Sequence, residues 1–287
     1  MKVTINVVNA FIDGAFGGNP AGVVLDADAL TDQQRLTIAK TVGLSETAFV
    51  SASSVADFKL DFFTPSRQIA HCGHATVAVF SHLAQTGRIG QGWSSKETID
   101  GTRKVLIKDG MAFMEQRAPQ YTEVESYHTA ILDSLGLTEQ QLLLAPKWVN
   151  TGNSFVVVGV KNQQDLAQLE INYEAIKSVS ESLDLIGYYI FTTQTHTPGR
   201  DVATRMLAPR YGIDEEAGTG MAAGPMACYL YDQMAIKKDH FTIEQGYLMR
   251  PPSPSVIDVT LEISPAGITS LMAGGVAKSI TDVVIDI

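Results

Sequence analysis

A pattern that occurs twice, in the same order, restricts the fold of this chain more than any other feature. Gly18-Asn19-Pro20 stands just ahead of Val23-Val24, and Gly152-Asn153-Ser154 just ahead of Val156-Val157, an offset of 134 residues. Pro65 then precedes Cys72-Gly73, as Pro209 precedes Ala217-Gly218, at offsets of 144 and 145. Similar order at a nearly constant offset points to a duplicated α+β unit. Each half is expected to be a curled, mostly antiparallel sheet around one buried helix. A length of 287 residues also favours two cores over one.

The local signals place the elements. Val3–Val8 alternates as a strand, Gly14–Pro20 reads as a glycine-rich turn, and Val23–Leu25 as a short strand. Thr31 is placed to cap a helix over Asp32–Val42 that Gly43 ends. Thr47–Ser51 and Phe58–Phe63 read as strands. A helix from Gly73 to Thr86 is apolar on every side, as in a fully buried helix. Thr98–Ile99, Lys104–Lys108 and Met111–Gln116 read as a meander turning at Asp109-Gly110. Ala118-Pro119 marks the expected boundary between domains 1–117 and 118–272. Beyond it come helix Thr129–Leu135, strands Trp148–Asn150 and Phe155–Val160, helix Tyr173–Leu183, strand Gly187–Thr192 and an apolar helix over Met221–Gln233. A last strand, Thr281–Asp286, within a tail of about 273–287, is expected to return to the first domain.

Charge and cysteine usage remove several functions. The net charge is −10 and the basic residues are scattered, so no stripe could track phosphates and no nucleic-acid partner is expected. Apolar runs such as Phe155–Val158 are too short to span a bilayer. The N-terminus alternates like a strand and lacks a signal-peptide core. Two cysteines, Cys72 and Cys228, cannot make a disulfide framework and suit a reducing compartment, so a cytoplasmic location is expected.

The candidate chemistry gathers at the two helix starts. The first amides of a helix are unpaired and carry partial positive charge, which makes each turn a seat for a carboxylate. A pseudo-twofold relation between the halves would aim both seats at one cleft. Gly73 lets a ligand approach the backbone, and Cys72 and His74 stand there to exchange protons. The helix N-terminus is expected to lower the Cys72 pKa, unless the thiol is only a small buried side chain. His74 reads either as a proton relay or as a satisfied core histidine. His71, Cys72 and His74 crowd one turn without a second ligand pair, so no metal is expected. GAFGGNP and AGTGMAAG fit neither G-x-G-x-x-G nor a P-loop. Arg67, Arg205 and Arg210 flank the turns, either to add to an anion field or to form ion pairs.

Five stretches resemble the phenazine-biosynthesis PhzF-like family: NAFIDGAFGGNPAGVVLDAD, GLSETAFV, FFTPSRQIAHCGHAT, APRYGIDEEAGTGMAAGPMACYL and EQGYLMRPPS. They lie in the family's order over positions 9 to 253. The resemblance implies the diaminopimelate epimerase-like fold, two half-open barrels each around a helix, with a cofactor-free site that moves protons on carbon. It places Glu46 on the family's acid/base residue and His74 on its histidine. Glu216 lies where phenazine-pathway members have an aspartate. Met221 replaces the serine those members carry after Thr-Gly, which puts their substrate in doubt. Cys72 falls on the first cysteine of diaminopimelate epimerase, but Ala217 takes the place of the second, so two-thiol racemisation is disfavoured.

These readings together predict a cofactor-independent isomerase or epimerase acting on a small carboxylate in a biosynthetic process. Glu46, His74, Cys72 and Glu216 are the catalytic candidates. Asn19, Gly73, Gly218, Thr219, Gly220 and Met221 are the substrate-binding ones. A homodimer is the default expectation. The alternatives are a small-carboxylate binding protein that kept the cleft without catalysis, and a Cys72 hydrolase, for which a thiolate–imidazole pair within one turn is expected to be awkward.

Overall fold

A computed structural model describes all residues from Met1 to Ile287. The chain divides into two compact units, Met1–Glu115 with Gly274–Ile287, and Gln116–Ala273.

In the first unit, β1 (Lys2–Ala10) pairs antiparallel with β2 (Asn19–Val24) on one side and with a C-terminal strand (Ala277–Asp286) on the other. Asn19 and Pro20 belong to β2 rather than to the preceding turn. Helix α1 (Asp32–Val42) has a capping box in which Thr31 and Gln34 satisfy each other's backbone amides, and Gly43 closes it in the left-handed conformation. It leads to β3 (Thr47–Ser51), which runs parallel to β2 and antiparallel to β4 (Phe58–Phe63). A two-residue β5 (Gln68–Ile69) precedes α2 (Gly73–Gln85). Strands β6 (Gly92–Thr98), β7 (Gly101–Lys108) and β8 (Met111–Arg117) complete the series. The polar β6 extends from Gly92 to Thr98, well beyond the short Thr98–Ile99 strand expected, and Ile99 falls in the turn that follows. Every residue of α2 from Gly73 to Leu83 is buried.

The second unit contains β9 (Gln120–Glu123), α3 (His128–Leu135), β10 (Lys147–Asn150), β11 (Ser154–Gly159), α4 (Gln163–Ala167), α5 (Tyr173–Ser182) and β12 (Gly187–Thr192). It continues through β13 (Val202–Ala208), β14 (Ile213–Glu216), α6 (Gly220–Asp232), β15 (His240–Gln245), β16 (Ser255–Ser264) and β17 (Gly267–Gly275). Strands β13 and β15 to β17 have no counterpart in the sequence-based expectations.

The two units share one pairing scheme. Antiparallel β1–β2, parallel β2–β3, antiparallel β3–β4, parallel β4–β6 and antiparallel β6–β7 recur as β10–β11, β11–β12, β12–β13, β13–β15 and β15–β16. The registers agree with the sequence offsets. Thr47 faces Phe63 as Tyr188 faces Leu207, and Phe58 faces Lys96 as Val202 faces Ile243. Glu46 therefore corresponds to Gly187, and Lys96 to Ile243. Glu97 and Glu244, the next pair, play matching parts: each carboxylate takes hydrogen bonds from the loop that follows β3 or β12.

Candidate active site

Glu46 sits between α1 and β3, and its carbonyl accepts a 3.0 Å bond from the Gly22 amide, which extends the β2–β3 ladder by one residue. Gly22 is required there, because a Cβ would come within 2.8 Å of Thr47 Oγ1. This ladder turns the Glu46 side chain inward, where it is only 5 % exposed.

The start of α2 brings the other two groups. Cys72 is the N-cap residue, in extended conformation. Its carbonyl accepts from the Thr76 hydroxyl at 2.6 Å and from the Thr76 amide at 3.2 Å. Cys72 Sγ lies 3.5 Å from His74 Nδ1, and His74 Nε2 lies 3.3 Å from Glu46 Oε2. All three side chains are buried, and their donor atoms lie within 4.8 Å of one another. Three ligating groups this close resemble a metal cage. The imidazole, however, turns one nitrogen to the sulfur and the other to the carboxylate, and a single ion can take only one of them. The arrangement is a row, thiol–imidazole–carboxylate, through which protons can pass.

One expectation is overturned here and one open alternative is decided. Adjacent placement does not keep Cys72 and His74 apart, because the N-cap residue is extended and its side chain folds back onto the first helical turn. Nor does the helix start lower the Cys72 pKa. Burial raises it, with Glu46 adding to the rise, and together they outweigh the opposing effects of His74 and the Ala75 amide.

The second unit holds the remaining candidates. The Thr219 hydroxyl donates to the Glu216 carboxylate. Buried Gln245 pins this turn: its Oε1 accepts from the Thr219 amide at 3.0 Å and from the Tyr189 hydroxyl at 2.9 Å, while Nε2 donates to the Glu216 carbonyl at 2.7 Å and to Thr219 Oγ1 at 3.0 Å. The Thr219 amide is thus engaged by a side chain, not held open for a carboxylate. Asn153 Nδ2 donates to the Met221 sulfur at 3.4 Å. Arg205 is clamped by Glu215 at 2.9 and 2.8 Å and Arg210 by Asp184 at 2.8 Å, so both are ion-pair partners. Asn19 is buried at the start of β2 in the first unit.

Glu46, Cys72 and His74 are gathered in one unit; Glu216, Gly218, Thr219, Gly220 and Met221 lie in the other. Two residues escaped sequence reasoning. Gln245 falls within EQGYLMRPPS, and its place beside a glycine-bearing turn was its only mark. Lys96 lies in the polar strand β6 and carried none.

Residues 8–277 match the phenazine biosynthesis-like family, PhzC-PhzF. The chain belongs to this family. Among its relatives is the "Uncharacterized isomerase YddE" of Salmonella typhimurium, 34 % identical over 276 residues, covering 92 % of this chain and 91 % of that protein. The crystal structure of a PhzF-family phenazine biosynthesis protein from Bacillus anthracis superposes with a TM-score of 0.88 at 27 % identity, over 100 % of both chains. A hydroxyproline epimerase from Agrobacterium vitis, with bound trans-4-hydroxy-L-proline, shares the fold at TM-score 0.61 and 14 % identity, covering 99 % of this chain and 91 % of that one. The PhzF proteins and this epimerase place the chain in the diaminopimelate epimerase-like α+β class. No helix is long and apolar enough to cross a membrane.

Proposed function

We propose that the protein is an isomerase that moves a proton on a carbon of a small carboxylate substrate, with Glu46 as the acid/base. The observation that carries this reading is the buried Glu46 carboxylate facing His74, in a chain several of whose relatives are named uncharacterized isomerases. Glu46 takes the proton from carbon, and the electron pair left behind spreads into the neighbouring carboxylate or double bond. The proton then returns to the same carbon or to one further along, so that atoms and electrons balance without an oxidant or reductant. His74 relays the proton or donates to an oxygen, and Cys72 stands behind it as a neutral thiol. These groups belong to the chain itself, and the chemistry asks for no cofactor.

In this reading Gly73 offers its backbone to the substrate carboxylate and Asn19 contributes to binding in the first unit. Gly218, Gly220 and Met221 are the binding residues of the second, where Thr219, its amide taken by Gln245, holds Glu216 as a further acid/base group. The Glu216–Thr219 bond supports its role as a held proton carrier.

The test is incubation of a panel of small amino, hydroxy and enoic acids with the protein in heavy water, followed by NMR. Deuterium entering a carbon position of at least one acid, and not entering with Glu46→Gln, supports the proposal. Binding without wash-in across every acid that raises the melting temperature would overturn it in favour of a carboxylate-binding protein.

A further inference from the structure

Lys96 is fully buried on β6, against the start of α2. Its Nζ donates to Thr76 Oγ1 at 2.6 Å, lies 3.2 Å from His71 Nδ1 and stands 5.3 Å from the centre of the Phe62 ring. Thr76 passes the contact on, since the same hydroxyl donates to the Cys72 carbonyl. Lys96 thus reaches Cys72, the N-cap of α2, through one intermediate, and His74 lies two residues further on in the first turn of that helix.

The fold does not need a lysine here. The matching register position in the second unit is Ile243, which is also fully buried and pairs with Val202 as Lys96 pairs with Phe58. An apolar residue fills that place without the desolvation cost of an amine. A lysine present in one half only, beside the half that carries Glu46, Cys72 and His74, calls for a reason other than packing.

We propose that Lys96 is the positioning residue of the site: through Thr76 and His71 its amine sets the first turn of α2, and its gain or loss of a proton shifts how Cys72 and His74 meet Glu46. As an ammonium, Nζ offers three donors, which the Thr76 hydroxyl, the bare His71 Nδ1 and the Phe62 ring face can each receive. On losing a proton, one donor becomes a lone pair. With one donor replaced by a lone pair, the amine can no longer serve Thr76, His71 and the Phe62 ring at once, and the contact given up loosens the segment next to Cys72.

The surroundings make that change accessible near neutrality. Burial brings the Lys96 pKa down to about 7, Cys72 and Asp100 pull it upward, and Arg103 pushes it down. His71, under burial and the nearby charges of Lys96 and Arg103, is held well below the ordinary histidine value and stays neutral.

The inference rests on Glu46, Cys72 and His74 forming the site, but its test reads protonation rather than turnover, so it stands or falls apart from the isomerase reading. Full-length protein is labelled at lysine Cε and histidine ring nitrogens and titrated by NMR. The Lys96 signal is the one lost in Lys96→Arg, and the His74 signals are those lost in His74→Asn. Lys96 should titrate near pH 7, far below the ordinary lysine value of about 10.4, and the His74 signals should show a step at the same midpoint. Lys96→Ile, which copies the residue of the protein's own second half, should lack that step. Lys96→Arg should hold the His74 signals at their low-pH positions. A Lys96 that titrates with the other lysines, or a His74 step that persists unchanged in Lys96→Arg or Lys96→Ile, would overturn the proposal. Should Lys96→Ile fail to fold, the wild-type and Lys96→Arg titrations still decide it.

Discussion

Glu46 and Gly187 hold the same register in the two halves: Glu46 stands one residue ahead of β3 and Gly187 opens β12, each strand running parallel to its neighbour. In the first half the position carries a buried carboxylate. In the second no side chain fits, because a Cβ at Gly187 would come within 2.2 Å of the Leu207 carbonyl oxygen. The helix starts differ in the same sense. Cys72 and His74 put a thiol and an imidazole at the first, whereas Ala217 and Thr219 put neither at the corresponding positions of the second. That second turn is instead fastened by Gln245, a neutral amide with four partners. The two halves share one frame, in which the first carries a buried thiol, imidazole and carboxylate and the second a fixed polar turn.

The largest expected effect tests the chemical half of that contrast. Glu46→Gln keeps the shape and removes the titratable oxygen, so turnover on any substrate found by deuterium wash-in should fall by roughly 10²–10⁴-fold. Steady-state kinetics beside a melting curve separate this from unfolding. A drop of less than about threefold would mean that Glu46 is not the proton acceptor and that the halves are chemically more alike than the structure suggests.

The next effect tests the fastened half. Gln245→Leu removes the acceptor of the buried Thr219 amide and of the buried Tyr189 hydroxyl, and the amide donor to the part-buried Glu216 carbonyl. Each such orphan costs about 1–3 kcal/mol. Denaturant unfolding should show the second unit weakened by at least that amount, with the first unit's probe, His74 ring signals, unmoved in native conditions. Unchanged stability would show that water replaces the amide.

Much of the frame could be read from the residues. The Thr31 cap, the Gly43 stop, strand Gly187–Thr192 and the apolar helices announce themselves through local chemistry that tertiary contacts do not override. Strand β6 did not, because Trp93-Ser94-Ser95-Lys96 has neither apolar alternation nor β-branched residues, and its pairing with β4 and β7 decides it. Strand β13 was obscured by Arg205, a charged residue in a wholly buried strand, which Glu215 and the Leu166 carbonyl make tolerable. The candidate at Glu46 came from the family resemblance, whereas His74 was marked already by its place beside Cys72 at a helix start. The direction of the Cys72 pKa stayed open because exposure of a helix start cannot be read from the helix alone: desolvation outweighs the local dipole once the turn is buried.

Lys96 against Ile243 gives a smaller, thermodynamic comparison. A lysine whose folded pKa is about 7 and whose unfolded value is 10.5 binds fewer protons folded than unfolded between those limits. Its contribution to stability therefore rises with pH across that window and is flat below it, with a slope of up to about 1.4 kcal/mol per pH unit. Subtracting the pH-stability profile of Lys96→Ile from that of the wild type should isolate this slope. A difference that stays flat from pH 7 to 10 would mean that Lys96 keeps its proton.

The smallest effect compares the two cysteines. Only the thiolate is alkylated, so a raised pKa slows the reaction at fixed pH. Cys228 lies within α6, where burial and Asp232 push its pKa up, as burial and Glu46 do for Cys72. The sharper outcome is the effect of charge. Removing the Glu46 carboxylate in Glu46→Gln takes away a negative neighbour of Cys72 and none of Cys228. Iodoacetamide labelling followed by peptide mass spectrometry should therefore find Cys72 slower than free cysteine in the wild type and faster in Glu46→Gln, with Cys228 unchanged between the two. Access alone cannot produce that pattern, since the substitution leaves the volume of the site nearly constant. If Cys72 outpaces free cysteine in the wild type, the amides of α2 govern the thiol after all, and the first helix start is an activated nucleophile rather than the neutral end of a proton row.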